Sequence, residues 1–444
     1  MKGKTLKQLA KLLSCQGSFQ KIIITGFEAD SRQIKEGMIF IALKGDRVDG
    51  HDFLSQVAEN KAIGAIVSQE YKGSHYGLAL FFVKDVLGSL QLLAKESYVL
   101  KKRITVAVTG SVGKTTTKEF IATLLEANYS VDKTLGNANS QVGVPLTILN
   151  NEEGREVFVI EMGMSAPGQI KQLTEMAPPD IAVLTAIGRS HTAFFHEGIE
   201  AIALAKSEIF SHRKTRLAII NERSRGFPII AKLEKEKIYF GGKEVHSDYS
   251  ITIEPKGVVI HEKGKKSPPM TLTFEASHLL ENFCAAVAVA RALGLNWDQI
   301  AGQATKLHPC KRRYEKIEKE GVTYLNDAYN ASPESMCAAL ANLPAPAPYK
   351  KRIAVLGDMR ELGVYSESSH EQVAYEALST IEHLLCLGKG CLPMVEIFQQ
   401  HQRPVEYFED FVELRSRLIQ LKEPGDVILL KGANSHALWR LVEE

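Results

Sequence analysis

Apolar positions along the chain gather in short unbroken runs, separated by stretches where they recur at helical spacing. The runs at 104–108, 157–160, Ile181–Leu184 and 217–220 are aliphatic and rich in β-branched residues. Runs of this kind predict strands covered on both faces, and the helical stretches between them predict a mostly parallel sheet. A second set, at 322–325, 353–356, His383–Leu387 and 427–430, predicts another doubly wound α/β unit. Near the start, strand candidates at 38–43, 65–68 and Ala79–Val83 precede a helix at 89–98. A more polar insert at 235–274 carries the alternating stretches Ile251-Thr252-Ile253 and Val258-Val259-Ile260, which predict a small antiparallel excursion. Three divisions follow: 1–100, 101–310 and 311–444.

Length agrees with that count, because 444 residues are too many for one core. A net charge of +2 gives no reason to expect nucleic acid or a polybasic membrane patch. No apolar run is long enough to span a bilayer, and Lys7 and Lys11 interrupt the only stretch resembling a signal peptide. The six cysteines make no C-x-x-C or zinc spacing, so reduced thiols and a cytoplasmic protein are expected, as a monomer. Lys101-Lys102-Arg103 reads as a solvated hinge face, and the proline-rich stretch 344–348 as a surface loop.

The chemistry starts at Thr109-Gly110-Ser111-Val112-Gly113-Lys114-Thr115-Thr116-Thr117. It lies between a predicted strand and a helix read over 118–127. Glycines let backbone N–H groups close around a polyphosphate, and a helix N-terminus adds positive potential. Lys114 would reach the outer phosphates, and the Thr115 hydroxyl would hold Mg²⁺. The pattern is shorter than a Walker A motif, which wants glycine where Val108 stands. Ligands of parallel sheets collect at the carboxyl ends of strands. There the chain offers Glu161-Met162-Gly163 after one strand, and a stretch ending in His191 after the next. Phosphate loop, carboxylate and imidazole on one edge suit a Mg²⁺-ATP site, although imidazole is an unusual ligand for Mg²⁺.

These residues carry a resemblance. Thr109-Gly110-x-x-Gly113-Lys114-Thr115, Gly136-Asn137-x-Asn139-Ser140-x-x-Gly143-Val144-Pro145, Glu161-Met162-Gly163 and His191 look like the Mur ligases, ATP-dependent amide-forming enzymes of peptidoglycan precursor synthesis. Asp30-Ser31-Arg32 and Asp49-Gly50-His51 match in the first segment. Asn326-Asp327-Ala328-Tyr329-Asn330-Ala331-x-Pro333-x-Ser335-Met336 and Leu356-Gly357-Asp358-Met359-x-Glu361-Leu362-Gly363 match in the third, and most resemble the dipeptide-adding member. The resemblance implies three α/β domains: a small N-terminal substrate domain, a central P-loop ATPase-like domain and a C-terminal Rossmann-like domain. It implies ATP and Mg²⁺, a UDP-muramoyl tripeptide and D-alanyl-D-alanine as substrates, and an acyl-phosphate intermediate. Residues 109–116, Asn282 and Asn330 would then bind nucleotide. Thr115, Glu161, His191 and Lys206 would hold metal, Lys206 as a carbamate, and Ser31 and Arg32 would lie near the diphosphate. Lys114, His191, Lys206 and Asp327 would be catalytic, Asp327 orienting the attacking amine or a neighbouring base. Read from spacing alone, Lys206 is a solvated helix lysine, Asp30-Ser31-Arg32 a polar turn with a local salt bridge, and Lys431 a strand-end lysine or a carboxylate anchor. The chain departs from the family at His191-Thr192-Ala193, where a carboxylate is usual two residues after the histidine; Glu197 is the nearest substitute. A sibling Mur step or a folylpolyglutamate-type ligase is the alternative within the class, and a P-loop kinase or nucleotide-gated module outside it.

Overall fold

A computed structural model describes residues 1–45, 48–99, 103–152, 154–190, 192–195, 197–242 and 247–444. Three sheets follow one another along the chain. The first contains β1 (Gly26–Glu28), β2 (Met38–Ile41), β3 (Gly64–Ser68) and β4 (Ala79–Val83), all parallel and in sequence order. Helix Val86–Val99 then leads to the second sheet.

That sheet holds β5 (Ile104–Thr109), β6 (Val131–Lys133), β7 (Val157–Glu161), β8 (Ile181–Leu184), β9 (Leu217–Asn221), β10 (Glu236–Phe240), β11 (Tyr249–Glu254), β12 (Gly257–Glu262) and β13 (Lys265–Lys266). Its order is β13-β12-β11-β10-β9-β8-β5-β7-β6, parallel from β6 to β11 and antiparallel beyond. The predicted excursion is therefore real, but it extends the main sheet, and β10 within the insert is an ordinary parallel strand. The third sheet holds β14 (Glu315–Lys319), β15 (Val322–Asn326), β16 (Arg352–Gly357), β17 (His383–Leu387), β18 (Val405–Phe408) and β19 (Val427–Lys431). Its order is β14-β15-β19-β16-β17-β18, with β14 alone antiparallel.

The middle sheet is covered on both faces, as its unbroken apolar strands require. Val106, Val108, Val157 and Val159 point to one face and join a core that continues through helix Ser277–Ala292 to Leu325 and Leu356 of the third sheet. Ala107, Phe158 and Ile160 point to the other and join a core that reaches Phe27, Ile39 and Leu90. Strand alternation thus sends neighbouring residues of β5 to opposite faces of the middle sheet and into different cores.

Two expectations change. The helix after the glycine loop begins at Lys114, four residues before the predicted start at 118, because Thr115, Thr116 and Thr117 have low helix propensity yet lie in its first turn. Arg103 is not solvated: its side chain is 1% exposed, with the guanidinium 4.1 Å from the centre of the Phe158 ring, an apolar setting that stacking favours. Lys101 and Lys102 lie outside the described residues.

Candidate active site

The carboxyl end of β5, an inner strand flanked by β7 and β8, turns into the glycine loop. Gly110 has φ +154°, and a Cβ there would come 2.0 Å from Thr185 Oγ1. Gly113 has φ +82°, and a Cβ there would come 2.5 Å from Asn282 Oδ1. Both positions need glycine, one for approach to β8 and one for a left-handed helix entry. The loop is braced from several sides. Thr109 Oγ1 donates to Met162 O at 2.7 Å, and Thr117 Oγ1 donates to Asn282 Oδ1 at 3.2 Å. Ser111 and Val112 bond to the stretch after β8, and Thr116 is buried. Helix Lys114–Leu125 has no side-chain cap at its N-terminus, so the amides of its first turn are free for an anion.

Glu161, the last residue of β7, is 1% exposed. Its Oε2 accepts from Thr115 Oγ1 at 2.8 Å and its Oε1 from Asn139 Nδ2 at 2.7 Å. Lys118 Nζ lies 4.0 Å from Oε2 and is itself anchored on Thr134 O at 2.6 Å and Gly136 O at 3.0 Å. Lys114 Nζ folds back onto Gly110 O at 2.9 Å and Ser111 O at 3.2 Å, within the loop it would guard. Burial pulls the Lys114 ammonium below its ordinary pKa; Glu161 opposes this, and Arg313 adds to it.

Lys206 lies near the end of helix Ile199–Ser207, 2% exposed. Burial first, and then the neighbouring Lys114 charge, hold its pKa well below 10.5. The solvated reading of Lys206 therefore fails, because the helix turns this position inward. Glu197 is exposed, and His191 lies outside the described residues.

Across the cleft, the C-terminal unit presents the end of β15 and the end of β19. Lys431, also 2% exposed, donates to Asp327 Oδ2 at 2.6 Å and to Asn330 O at 3.0 Å, while Asp327 Oδ1 accepts from Tyr314 N at 3.0 Å. Ser332 caps helix Pro333–Ala341, with proline at its first position. His278 packs edge-on against Tyr314, and burial lowers its pKa to about 4. Lys114, Thr115, Glu161, Lys206, Asn282, Asp327, Asn330 and Lys431 all border one cleft of about 890 Å³.

Family models match this architecture in three pieces: the Mur ligase family catalytic domain over 23–82, the Mur ligase middle domain over 108–290 and the Mur ligase glutamate ligase domain over 312–434. The UDP-N-acetylmuramoyl-tripeptide--D-alanyl-D-alanine ligase of Bacillus subtilis (strain 168) is 32% identical, covering 99% of this chain and 98% of its own length. The chain belongs to the Mur ligase family. The Escherichia coli (strain K12) ligase of the same description is 30% identical over 99% of this chain and 97% of its own. Among solved structures, MurF from Acinetobacter baumannii superposes with a TM-score of 0.85 at 26% identity, covering 99% of this chain and 98% of its own. The MurF ligase of Thermotoga maritima in complex with ADP superposes with a TM-score of 0.78 at 30% identity, covering 94% and 96%.

In this Mur ligase two sequence-predicted residues stand apart from the rest. Ser31 and Arg32 form a short 3₁₀ turn capped by Asp30, and neither borders the cleft. Arg32 donates through Nε to Asp30 Oδ1 at 2.9 Å and through Nη2 to Oδ2 at 2.7 Å. Those bonds hold the Asp30 carboxyl far below the usual carboxylate range. The local salt bridge expected from spacing is thus present. Two further residues were missed by sequence reasoning. Arg313, 4.0 Å from the centre of the Tyr329 ring, borders the cleft, and Lys118 supports Glu161 from below. Arg313 sits in the basic run Lys311-Arg312-Arg313 between two units, where a linker reading hides it.

Proposed function

We propose that this Mur ligase joins D-alanyl-D-alanine to UDP-N-acetylmuramoyl-tripeptide at the expense of ATP, giving the pentapeptide precursor of peptidoglycan. The observation that carries this reading is the facing of two half-sites across one cleft. Lys114, Thr115 and Glu161 stand on the central unit, and Asp327, Asn330 and Lys431 on the C-terminal unit. A kinase needs only the first half, whereas a ligase must also hold an amine.

A peptide carboxylate is a poor electrophile. Its oxygen attacks the γ-phosphorus of ATP, the bond to the β-phosphate oxygen breaks, ADP leaves and an acyl phosphate forms. The amine of the dipeptide then adds to the acyl carbon, loses a proton and expels inorganic phosphate. Residues 109–116 cradle the phosphates through backbone amides, and Lys114 swings from Gly110 O to the outer phosphate oxygens. Asn282 and Asn330 hold the nucleotide from either side. Asp327, fixed by Lys431 and the Tyr314 amide, accepts hydrogen bonds from the amine and orients it. Ser31 and Arg32 bind the diphosphate of the UDP end, for which a guanidinium is well suited.

Thr115 Oγ1 and Glu161 Oε2, 2.8 Å apart at the foot of the cradle, are hard oxygen donors, so the residues fit Mg²⁺. When bound, that ion neutralises charge on the polyphosphate. His191 and Lys206 complete the metal-binding set. Burial and the Lys114 charge favour the neutral amine of Lys206, the form that adds to carbon dioxide: an N–C bond forms, a proton is released and the side chain becomes an anionic carbamate with oxygen donors. ATP and a UDP-linked peptide as substrates support a cytoplasmic reaction. One chain supplies both half-sites, so a monomer suffices, organised as domains 1–100, 101–310 and 311–444. The test is phosphate release with ATP and Mg²⁺. It should require both the UDP-tripeptide and D-alanyl-D-alanine; release driven by another amino acid, with none from the dipeptide, would sink the assignment.

A further inference from the structure

The stretch that follows β8 is tied on two sides. Towards the phosphate cradle, Ser111 Oγ donates to Gly188 O at 2.9 Å and accepts from Gly188 N at 2.9 Å, and Ser111 N donates to Ala186 O at 2.8 Å. Thr185 Oγ1 donates to Val112 O at 2.5 Å. Towards the C-terminal unit, Arg189 N donates to Glu334 Oε1 at 2.5 Å, Thr192 Oγ1 to Leu362 O at 2.9 Å and Ala193 N to Glu361 O at 2.9 Å. Small residues permit this second set. A Cβ on Gly188 would come 2.6 Å from Glu334 Cδ, and one on Gly363, at φ +57°, would come 3.1 Å from Ala193 Cα. Glycine at 363 thus lets the backbone of the C-terminal unit approach the stretch that departs from the family pattern, where Ala193 N donates to Glu361 O.

We propose that segments 185–190 and 192–195 form a latch between the phosphate cradle and the C-terminal unit, with Glu334 and Thr192 as positioning residues for ligation. The inference rests on the nucleotide reading above. Docking of the C-terminal unit fixes Gly188, and Gly188 fixes Ser111, one of the residues that line the phosphate site. The latch is not a deep minimum. Glu334 Oε2 and Ser190 Oγ are buried and make no hydrogen bond among the described residues, and unsatisfied buried polar atoms are costly. That cost opposes docking of the C-terminal unit, and any ligand that prefers the docked arrangement is linked to every other that does. Nucleotide affinity therefore depends on contacts made far from the nucleotide.

The test uses the full chain. ADP affinity is measured by calorimetry with Mg²⁺, and kcat and KM for ATP by phosphate release, in Glu334→Ala and Thr192→Val. Both are expected to raise the ADP dissociation constant and the KM for ATP by roughly fivefold or more. Thr192→Ser and Glu334→Gln, which keep the hydroxyl and the carbonyl acceptor, should restore affinity. Thr192 does not border the cleft, so its effect cannot come from touching the nucleotide. Unchanged affinity in a folded Thr192→Val protein overturns the latch, as does an effect confined to Glu334→Ala, which would reveal direct contact instead. If the unmodified chain fails to bind ADP, the nucleotide reading falls and the latch with it; if it binds and the variants match it, only the latch falls.

Discussion

Lys206→Met separates what this lysine costs the fold from what it gives the reaction. The side chain is 2% exposed and its Nζ makes no hydrogen bond among the described residues. Burial and the Lys114 charge both disfavour its ammonium, so a methionine of similar length should stabilise the ligand-free protein by about 1–3 kcal/mol, the scale that mutational data give for burying a polar group. The sign of the pH dependence follows from the lowered pKa. The folded state binds the proton less well than the unfolded chain, so stability rises with pH between the folded value and 10.5. Below that window the penalty is complete, and above it the penalty is gone. Within the window the advantage of Lys206→Met should shrink by about 1.4 kcal/mol per pH unit. Urea unfolding of the central unit reads this directly. The chain has two tryptophans, and in a Trp439→Phe background Trp297 reports alone, from helix Trp297–Ala304. Measurements should be made without nucleotide and in buffer free of carbon dioxide. The same variant should lose ligation, and Lys206→Ala should recover part of it with added small carboxylic acids. A methionine variant that is less stable at neutral pH, or that ligates normally, refutes the reasoning.

Two other substitutions probe the cradle. Lys114→Ala should reduce turnover by roughly a hundredfold or more with little change in melting temperature, since its Nζ bonds only to loop carbonyls; steady-state phosphate release and a thermal melt check both halves. Glu161→Gln should weaken Mg²⁺ activation, because an amide is a poorer hard-metal donor and its NH₂ would face either Thr115 Oγ1 or the Asn139 amide; a Mg²⁺ titration of ATP turnover should show a higher half-saturating concentration.

The phosphate cradle was legible because its residues are contiguous and each serves a geometric need that no packing role imitates. Glu161 was legible only through the rule that ligands meet at strand ends. Lys206 shows where pattern reading stops. A helix of Ala, Leu, Lys and Glu does not reveal which face turns inward, and only the fold lowers the pKa of that lysine by burial and the Lys114 charge. Arg103 misled for the same reason, since a basic triplet carries no sign of the aromatic ring beneath it. The missed strands share a cause as well. β14 reads Glu-Lys-Ile-Glu-Lys and is an edge strand with charged residues, and β6 is a three-residue edge, so neither carries the apolar run that marks an inner strand.

The opposed allegiances of β5 have an evolutionary corollary. Val106 and Ala107 are adjacent in sequence, yet the first belongs to the core that continues into the C-terminal unit and the second to the core that reaches the amino-terminal unit. Compensating substitutions for these two positions should therefore arise on opposite faces of the middle sheet. Recombination that exchanges either terminal unit between relatives would need to match one side of this ribbon and could ignore the other.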